Sequence, residues 1–336
     1  MTRAVLGALA LTAALVPLQS TGPEPRFTNR TGPYLGERPP GLTPVVFAPG
    51  LVSTGGFERD VAITPDGREI YFALAGPAYQ YTTIAVTRLA EGRWTEPEVV
   101  AGLDDPRYMS LEPALSADGN TLYFLSTQPD TAMGGTAGNQ DIWALTRTAT
   151  GWSVPRNLGA PVNSPLPEYF PSLTRDDTIY FTREEAGSRV SSIWRARREG
   201  YGYREPERLP PQVNSGRSHF NAFVAPDESY VIVPTDGRPD SIGGCDYYVV
   251  FRTPDDSWSQ PINLGPAVNT KGSQEFSPYV SPDGKYFFFM SSRLAAPERL
   301  TFRLFRDLHN RPGNGNADIY WVDAAFIEDL RPGAKR

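Results

Sequence analysis

The feature that most constrains the fold of this chain is an internal repeat with five copies. Each copy is centred on a short turn sequence of the Pro-Asp-Gly type, and successive copies lie 52, 58, 51 and 56 residues apart. The repeated aspartates are Asp66, Asp118, Asp176, Asp227 and Asp283. Proline presets the backbone for a turn and Gly or Asp tolerates its last position, so each copy predicts a tight turn. A chain of 336 residues could hold two domains, but this period favours one ring of similar units.

Each turn is followed by two runs of β-prone residues, which predict two strands. The first runs are residues 70–72, 122–124, 179–181, 230–232 and 286–288. The second runs are residues 84–86, 142–144, 193–195, 247–249 and 319–321. Four copies then continue to an aromatic residue and, three positions later, a proline, as in Trp94 and Pro97. Proline lacks an amide hydrogen and therefore suits an outer edge strand. Each copy thus predicts a blade of four antiparallel strands.

The fifth copy lacks this fourth strand, because the chain ends shortly after Trp321. Residues 44–53, however, align without a gap on residues 206–215, which hold the fourth strand of the third copy. We therefore expect an N-terminal strand to complete the last blade, which would close the ring and remove a free sheet edge. The predicted fold is all-β: a single five-bladed β-propeller of four-stranded antiparallel blades.

The repeats resemble those of the TolB-like, WD-repeat-like β-propellers, in which an S-P-D-G turn joins two strands and an aromatic run follows. Residues 281–286 (SPDGKY) and 318–321 (DIYW) match this pattern best, and the resemblance covers about residues 44–325. It implies a propeller that binds a protein partner or a ligand, and it points to no single chemistry.

The N-terminus has the form of an export signal. Arg3 is followed by an apolar run over residues 4–16, which is too short to span a membrane. We expect a signal peptide at residues 1–20, an extended linker at 21–42 that is rich in Pro and Gly, and the propeller at 43–336. The expected location is the periplasm or the outside of the cell, without membrane insertion.

Composition excludes several classes of protein. There are 32 Lys and Arg residues against 38 Asp and Glu residues, and the resulting net charge of -6 argues against a nucleic-acid binder. Cys245 is the single cysteine, so no intrachain disulfide can form, and two histidines cannot supply a His-rich metal site. A G-x-S-x-G motif and a P-loop are both missing from the sequence. We expect a monomer without a cofactor.

Propeller geometry points to the start of each innermost strand as the candidate site, because these strands line the central channel. Eight residues before the repeat aspartates stand Glu58, Ser110, Glu168, His219 and Glu275; six residues before them stand Asp60, Glu112, Phe170, Asn221 and Ser277. Residues two apart on a strand share a side, so we expect two stacked tiers, with Arg59 out of line. The candidate ligand-binding residues are Glu58, Arg59, Asp60, Glu112, Glu168, His219, Asn221 and Glu275.

These acidic residues have three interpretations. They could be a solvated channel wall, a site for a cationic or hydroxyl-rich ligand with weak Ca²⁺ binding, or the paired carboxylates of a glycoside hydrolase. The long loops 126–140, 234–245 and 291–317 are expected on the same face as the acids. The last loop is rich in arginine, carries a weak signal for an amphipathic helical turn, and could act as a plug, a lid or a docking arm.

We favour a binding module for a protein partner or a carbohydrate-like small ligand, without catalysis; a carbohydrate-active enzyme is the alternative. Acids neutralised by arginine would favour the binder, and two carboxyls facing an open pocket would favour the enzyme.

Overall fold

The computed structural model describes residues 30–130, 138–294 and 299–334. Within them the chain forms five antiparallel blades around a central channel, so the predicted five-bladed propeller is confirmed. The predicted signal peptide at residues 1–20 lies outside the described residues. Of the expected linker, residues 30–42 are described, and they pack against the propeller: Leu35 is fully buried, and the Trp94 Nε1 atom donates a hydrogen bond to the Gly32 carbonyl at 2.7 Å.

The strands follow the repeat closely. The N-terminal strand is β1 (Val45–Val46). Blade 1 contains β2 (Phe57–Ile63), β3 (Glu69–Ala75), β4 (Thr82–Ala90), β5 (Arg93–Trp94) and β6 (Glu98–Val99). Blade 2 contains β7 (Ser110–Leu115), β8 (Thr121–Ser126), β9 (Asp141–Thr148), β10 (Gly151–Trp152) and β11 (Arg156–Asn157). In both blades the outer strand is split into two short pieces that pair with the third strand.

The remaining three blades contain an extra hairpin and two helices besides their strands. Blade 3 contains β12 (Glu168–Leu173), β13 (Ile179–Glu184), β14 (Ser191–Ala196), the hairpin β15 (Arg198–Glu199) and β16 (Gly202–Tyr203), and β17 (Glu207–Arg208). Blade 4 contains β18 (Ser218–His219), β19 (Phe223–Val224), β20 (Tyr230–Asp236), β21 (Cys245–Phe251) and β22 (Ile262–Asn263). Blade 5 contains β23 (Glu275–Val280), β24 (Tyr286–Ser291), helix α1 (Phe302–Leu308) and β25 (Asp318–Asp323), and helix α2 (Ala325–Asp329) follows it. Short 3-10 turns cover Tyr34–Gly36 and Pro77–Tyr79.

The N-terminal strand closes the ring as predicted. β1 pairs antiparallel with β25, with Val45 opposite Trp321 and Val46 opposite Tyr320. Blade 3 uses the same register, as the alignment of residues 44–53 with 206–215 requires. Phe47, next along the chain, is fully buried, and its ring lies 5.2 Å from that of Trp321 in an edge-on contact.

The hydrophobic core lies between the blades rather than within one layer. Five clusters of buried side chains each join two neighbouring blades, including one between blades 5 and 1 that contains Phe47, Phe288 and Trp321. Because a blade buries its faces only against its neighbours, the closed ring is the unit that completes the core.

Asparagine side chains bind the connections between blades to the third strands through hydrogen bonds. Asn163, Asn214 and Asn269 each accept a hydrogen bond from the backbone amide of a third-strand residue and donate one to the carbonyl of the same residue; the partners are Ile142, Ile193 and Tyr247. Ser53 does the same with Ile319 through its hydroxyl, with both distances 3.1 Å. We call these four contacts the side-chain clasps. Each of the four carbonyls also accepts a hydrogen bond from a backbone amide of the outer segment, so the clasp supplies the partner that the third-strand amide would otherwise lack.

A bulge interrupts each innermost strand at the channel. The residue at each bulge is not glycine but has a positive φ: Asp60 (55°), Glu112 (63°), Phe170 (52°), Asn221 (46°) and Ser277 (62°). The strand register slips at this point in blades 1, 2, 3 and 5. A bulge places an extra residue in one strand, so the alternation of side chains is reset there. This reset decides which side chains enter the channel.

Candidate functional site

The propeller has two faces, which differ in their connections. We call the face that carries the second-to-third strand loops and the connections between blades the loop face. The face that carries the five repeat turns is the turn face. The central channel runs between them, lined by β2, β7, β12, β18 with β19, and β23.

A hydrogen-bonded cluster crosses the channel at the level of the bulges. The Arg59 Nε atom donates to both Asp60 carboxylate oxygens at 2.8 and 2.9 Å, and the Arg59 Nη2 atom donates to Glu112 Oε1 at 2.9 Å. Asn221 Nδ2 also donates to Glu112 Oε1, at 3.0 Å, and the Ser277 hydroxyl donates to Asp60. We call Arg59, Asp60, Glu112, Asn221 and Ser277 the channel network. The backbone amide of Phe170 in blade 3 donates to Glu112 Oε2 at 2.8 Å. All five blades therefore contact or contribute to the channel network.

The charge of the channel network is nearly balanced. One guanidinium serves two carboxylates, and all three groups are largely removed from water. Burial, together with the nearby charge of Asp60, raises the pKa of Glu112 to about 7, although the Arg59 guanidinium opposes this shift. Near neutral pH the carboxyl group of Glu112 is therefore partly protonated.

Four of the six acidic and histidine residues that we expected to line the channel lie outside the channel network. Glu58 accepts hydrogen bonds from the Thr54 amide and hydroxyl, and Glu168 accepts from Ser164 and, at 2.7 Å, from Arg183 Nε. Glu275 accepts from the Ser273 and Thr270 hydroxyls. These three acids fold back onto the connections that precede their own strands. Burial raises the pKa of each.

His219 also turns away from the channel network. The Gly216 amide donates to its Nε2 atom at 2.8 Å, so the Nδ1 atom carries the proton and faces the Ser191 carbonyl at 3.3 Å. Burial lowers the pKa of His219 to about 4, which keeps the ring neutral at physiological pH. Its contacts indicate that it fixes the start of β18.

Arg59, expected to lie out of line, is the centre of the channel network. The bulge at Asp60 explains the difference, because it brings the side chains of two successive residues to the same side of β2. The sequence contained a signal for these bulges: Pro113, Pro171 and Pro278 directly follow the bulged residues of three blades. Proline inside a strand is found mainly at edges and bulges, so these prolines argue against an uninterrupted alternation.

A cavity of about 210 Å³ extends from the channel network toward the turn face. Asp60 and Ser277 form its inner end, and apolar residues of all five innermost strands form its wall, including Leu115, Phe170 and Phe223. The residues that precede each repeat aspartate surround its opening: Pro65, Ala117, Arg175, Pro226 and Pro282. Four of these five are apolar, and Arg175 provides a positive charge at the rim.

The residues at this opening were not predicted as site residues. They stand in the repeat alignment one position before the aspartates, so the alignment placed them together, but their predicted role was only to form turns. The acids nearer the loop face were predicted instead because the start of each innermost strand lines the channel. The structure shows that open space lies beyond the channel network, on the turn face.

The described residues offer little for a metal ion. Across residues 30–130, 138–294 and 299–334, no group of three or more His, Cys, Asp or Glu side chains is arranged to hold one. Between Asp60 and Glu112, Arg59 already supplies the positive charge. Cys245 is buried. No helix in the described parts of the chain is long and apolar enough to cross a membrane.

Solved structures with similar folds include two TolB proteins and an enzyme. The putative TolB of Agrobacterium tumefaciens is 16% identical with a TM-score of 0.47, and the match covers 70% of each chain. TolB of Acinetobacter baumannii is 15% identical with a TM-score of 0.44, over 80% of this chain and 57% of that one. The periplasmic gluconolactonase of Pseudomonas aeruginosa is 16% identical with a TM-score of 0.40, over 69% of this chain and 64% of that one. No protein-family model and no curated protein matches the sequence.

Proposed function

We propose that this protein is an exported binding module, periplasmic or secreted, that takes an apolar group of a ligand or protein partner into its channel from the turn face. The cavity between the channel network and the repeat turns carries this proposal. Export rests on the charged and apolar pattern of residues 1–20.

The chemistry of the cavity favours an apolar or aromatic group with a polar or anionic end. Phe170, Phe223 and Tyr279 supply aromatic wall area, which binds rings and alkyl chains by excluding water. Arg175 at the rim can pair with an anion, and Asp60 and Ser277 at the inner end offer hydrogen bonds. Small-molecule sites commonly combine apolar walls with a few such polar groups.

The state of the acids supports binding without catalysis. A glycoside hydrolase needs one carboxyl that gives a proton and another that attacks or activates water, and both must reach the substrate. Here Asp60 and Glu112 are buried and share one guanidinium, and Glu58, Glu168 and Glu275 bond to their own connections. Of these five acids only Asp60 lines the cavity, so none of the other four is placed to act as the second carboxyl on a substrate bound there.

A fluorescent aromatic sulfonate, 1-anilinonaphthalene-8-sulfonate, is a suitable probe for the cavity. We expect the folded protein to bind it at one saturable site in a fluorescence titration. Ala117→Trp, which fills the opening, should weaken binding by roughly tenfold or more, since about one aromatic side chain of apolar contact is lost. Arg175→Gln should weaken it less, because only the rim charge is removed.

Ala149→Trp is the matched control, because Ala149 is exposed in a turn between the third and outer strands of blade 2, on the turn face but outside the cavity. It should bind the probe as the unchanged protein does. Equal affinities for Ala117→Trp and Ala149→Trp would contradict the proposed channel site. Turnover of chromogenic glycosides that disappears in Asp60→Asn or Glu112→Gln would contradict the non-catalytic role.

A further inference from the structure

The insertion between β24 and β25 presents apolar and basic side chains to solvent on the loop face. Phe302 is 86% exposed, Leu300 is 67% exposed and Phe305 is 54% exposed. Phe302 and Phe305 lie three positions apart on α1, so their rings stand on one side of the helix. Isolated apolar side chains on a surface are ordinary, but three within six residues form a patch.

The insertion is also basic, in contrast to the rest of the protein. Residues 299–311 contain Arg299, Arg303, Arg306 and Arg311 against one acid, Asp307, whereas the whole chain has a net charge of -6. Asp307 is shared by Arg303 at 3.4 Å and Arg306 at 3.3 Å, so it cannot balance the arginines around it. The positive charge is therefore concentrated beside the exposed rings.

The helix has a defined position on the body of the propeller. The Thr301 hydroxyl accepts a hydrogen bond from the Leu304 amide and caps the helix. After the helix, the His309 carbonyl lies where a side chain on Gly55 would stand, and Asn314 and Asn316 both donate to the Gly55 carbonyl at 3.0 Å. The base of the insertion is thus fastened to the connection before blade 1, while the rings and guanidinium groups point outward.

We propose that α1 docks this protein on an anionic lipid bilayer, with the loop face toward the membrane. Aromatic and leucine side chains flanked by arginines bind at the interface between headgroups and acyl chains. Each arginine near an anionic surface adds attraction, whereas the acidic remainder of the molecule is repelled by it.

Membrane docking through α1 would not involve the ligand site in the channel. The helix lies on the loop face, and the cavity opens on the turn face. A protein bound through α1 would keep its channel open to the surrounding solution.

Sedimentation with lipid vesicles tests the proposal on the full chain. Vesicles of phosphatidylcholine mixed with phosphatidylglycerol should bind the protein, and vesicles of phosphatidylcholine alone should bind it less, with the difference reduced at high salt. The double variant Phe302→Ser, Phe305→Ser should lower the partition coefficient by roughly tenfold or more, since two rings lose their contact with the bilayer. Arg303→Gln with Arg306→Gln should lower it by about tenfold on the anionic vesicles only.

Tyr201→Ser is the matched control, because Tyr201 is fully exposed in the hairpin of β15 and β16, away from the insertion. It should sediment like the unchanged protein. All variants carry the same N-terminus, so any lipid affinity of residues 4–16 is common to them, and a melting curve for each shows that the fold is retained. Lack of binding to the anionic vesicles, or binding that the phenylalanine and arginine variants leave unchanged, would overturn the proposal and leave this face to a protein partner.

Discussion

At the residue scale, Arg59 decides the character of the channel, because its guanidinium is the positive group shared by Asp60 and Glu112. Arg59→Met keeps much of the side-chain volume but leaves two buried carboxyls without a counter-charge. Removing one partner of a buried ion pair typically costs about 3–5 kcal/mol. We therefore expect Arg59→Met to lower the free energy of unfolding by about that amount at pH 8, measured by urea denaturation.

The loss of unfolding free energy in Arg59→Met should become smaller as the pH is lowered. Burial raises the pKa of Glu112 to about 7 in the folded protein, from an ordinary value near 4.5. Between these values the folded state holds a proton that the unfolded state has released, so stability falls as pH rises toward 7. Without Arg59 this effect grows, and the deficit of Arg59→Met should shrink as the pH is lowered toward 5.

Arg107→Met provides the comparison, because Arg107 pairs with Asp105 on the exposed surface. It should change stability little at either pH, as surface ion pairs usually do. Equal losses for the two arginine variants, or a deficit of Arg59→Met that does not respond to pH, would contradict the account of the channel network.

The same residues show how far the sequence could predict the site. It predicted that Asp60, Glu112, Asn221 and Ser277 face the channel, because the repeat fixes their place in each innermost strand. It did not predict that Glu58 bonds to Thr54 outside the channel network or that Arg59 lies at the centre of that network. Counting in steps of two assumes a regular strand, and the bulge at Asp60 breaks that regularity through a backbone conformation that non-glycine residues seldom adopt.

At the scale of elements, the side-chain clasps hold each connection to the neighbouring strand. Asn269 is fully buried, accepts from the Tyr247 amide at 2.8 Å and donates to the Tyr247 carbonyl at 3.1 Å. Asn269→Ala would leave the Tyr247 amide buried without a partner, whereas the Tyr247 carbonyl would keep its hydrogen bond from the Leu264 amide at 3.1 Å. Since an unsatisfied buried donor costs about 1–3 kcal/mol, we expect a loss of that size in the free energy of unfolding.

Asn269→Ser is the informative companion to that variant, because Ser53 makes the same two contacts in blade 5 with a hydroxyl alone. It should restore part of the stability that Asn269→Ala loses. If serine and alanine at this position are equally unstable in urea denaturation, the backbone contacts are not the reason for the asparagine.

The second and third strands could be predicted from the sequence, but the side-chain clasps could not. Turn residues and aromatic runs recur at fixed offsets, so the second and third strands of every blade, such as Tyr286–Ser291 and Asp318–Asp323, could be placed from the sequence. The clasps act between segments about twenty residues apart, and local preferences carry no information on such a pairing. The outer strands proved short, often two residues, because proline limits their ladder.

At the scale of the whole molecule, stability depends on closing the ring in blade 5. Phe47 is fully buried between Phe288 and Trp321, so Phe47→Ala should cost about 3–5 kcal/mol. Deleting residues 43–53 should go further and abolish single cooperative unfolding, because the third strand of the last blade loses its neighbour. Calorimetry of the two variants measures both effects.

Val45→Ala is the control within the same strand, since Val45 is partly exposed and its removal should cost less than about 1 kcal/mol. A deletion variant that melts in one transition at an unchanged temperature would show that the N-terminal strand is dispensable for closure.

The pairing of β1 with β25 also sets the order in which the molecule can be built. Residue 45 leaves the ribosome early, but its strand can find its partner only after residue 321 has been made, so this long-range pairing forms late. Until then the chain is an open arc of blades with one unpaired edge at each end. For the exported protein that we propose, this delay would be useful: the chain would stay incomplete on the side where it is made and become a closed ring only after its C-terminal blade has crossed the membrane.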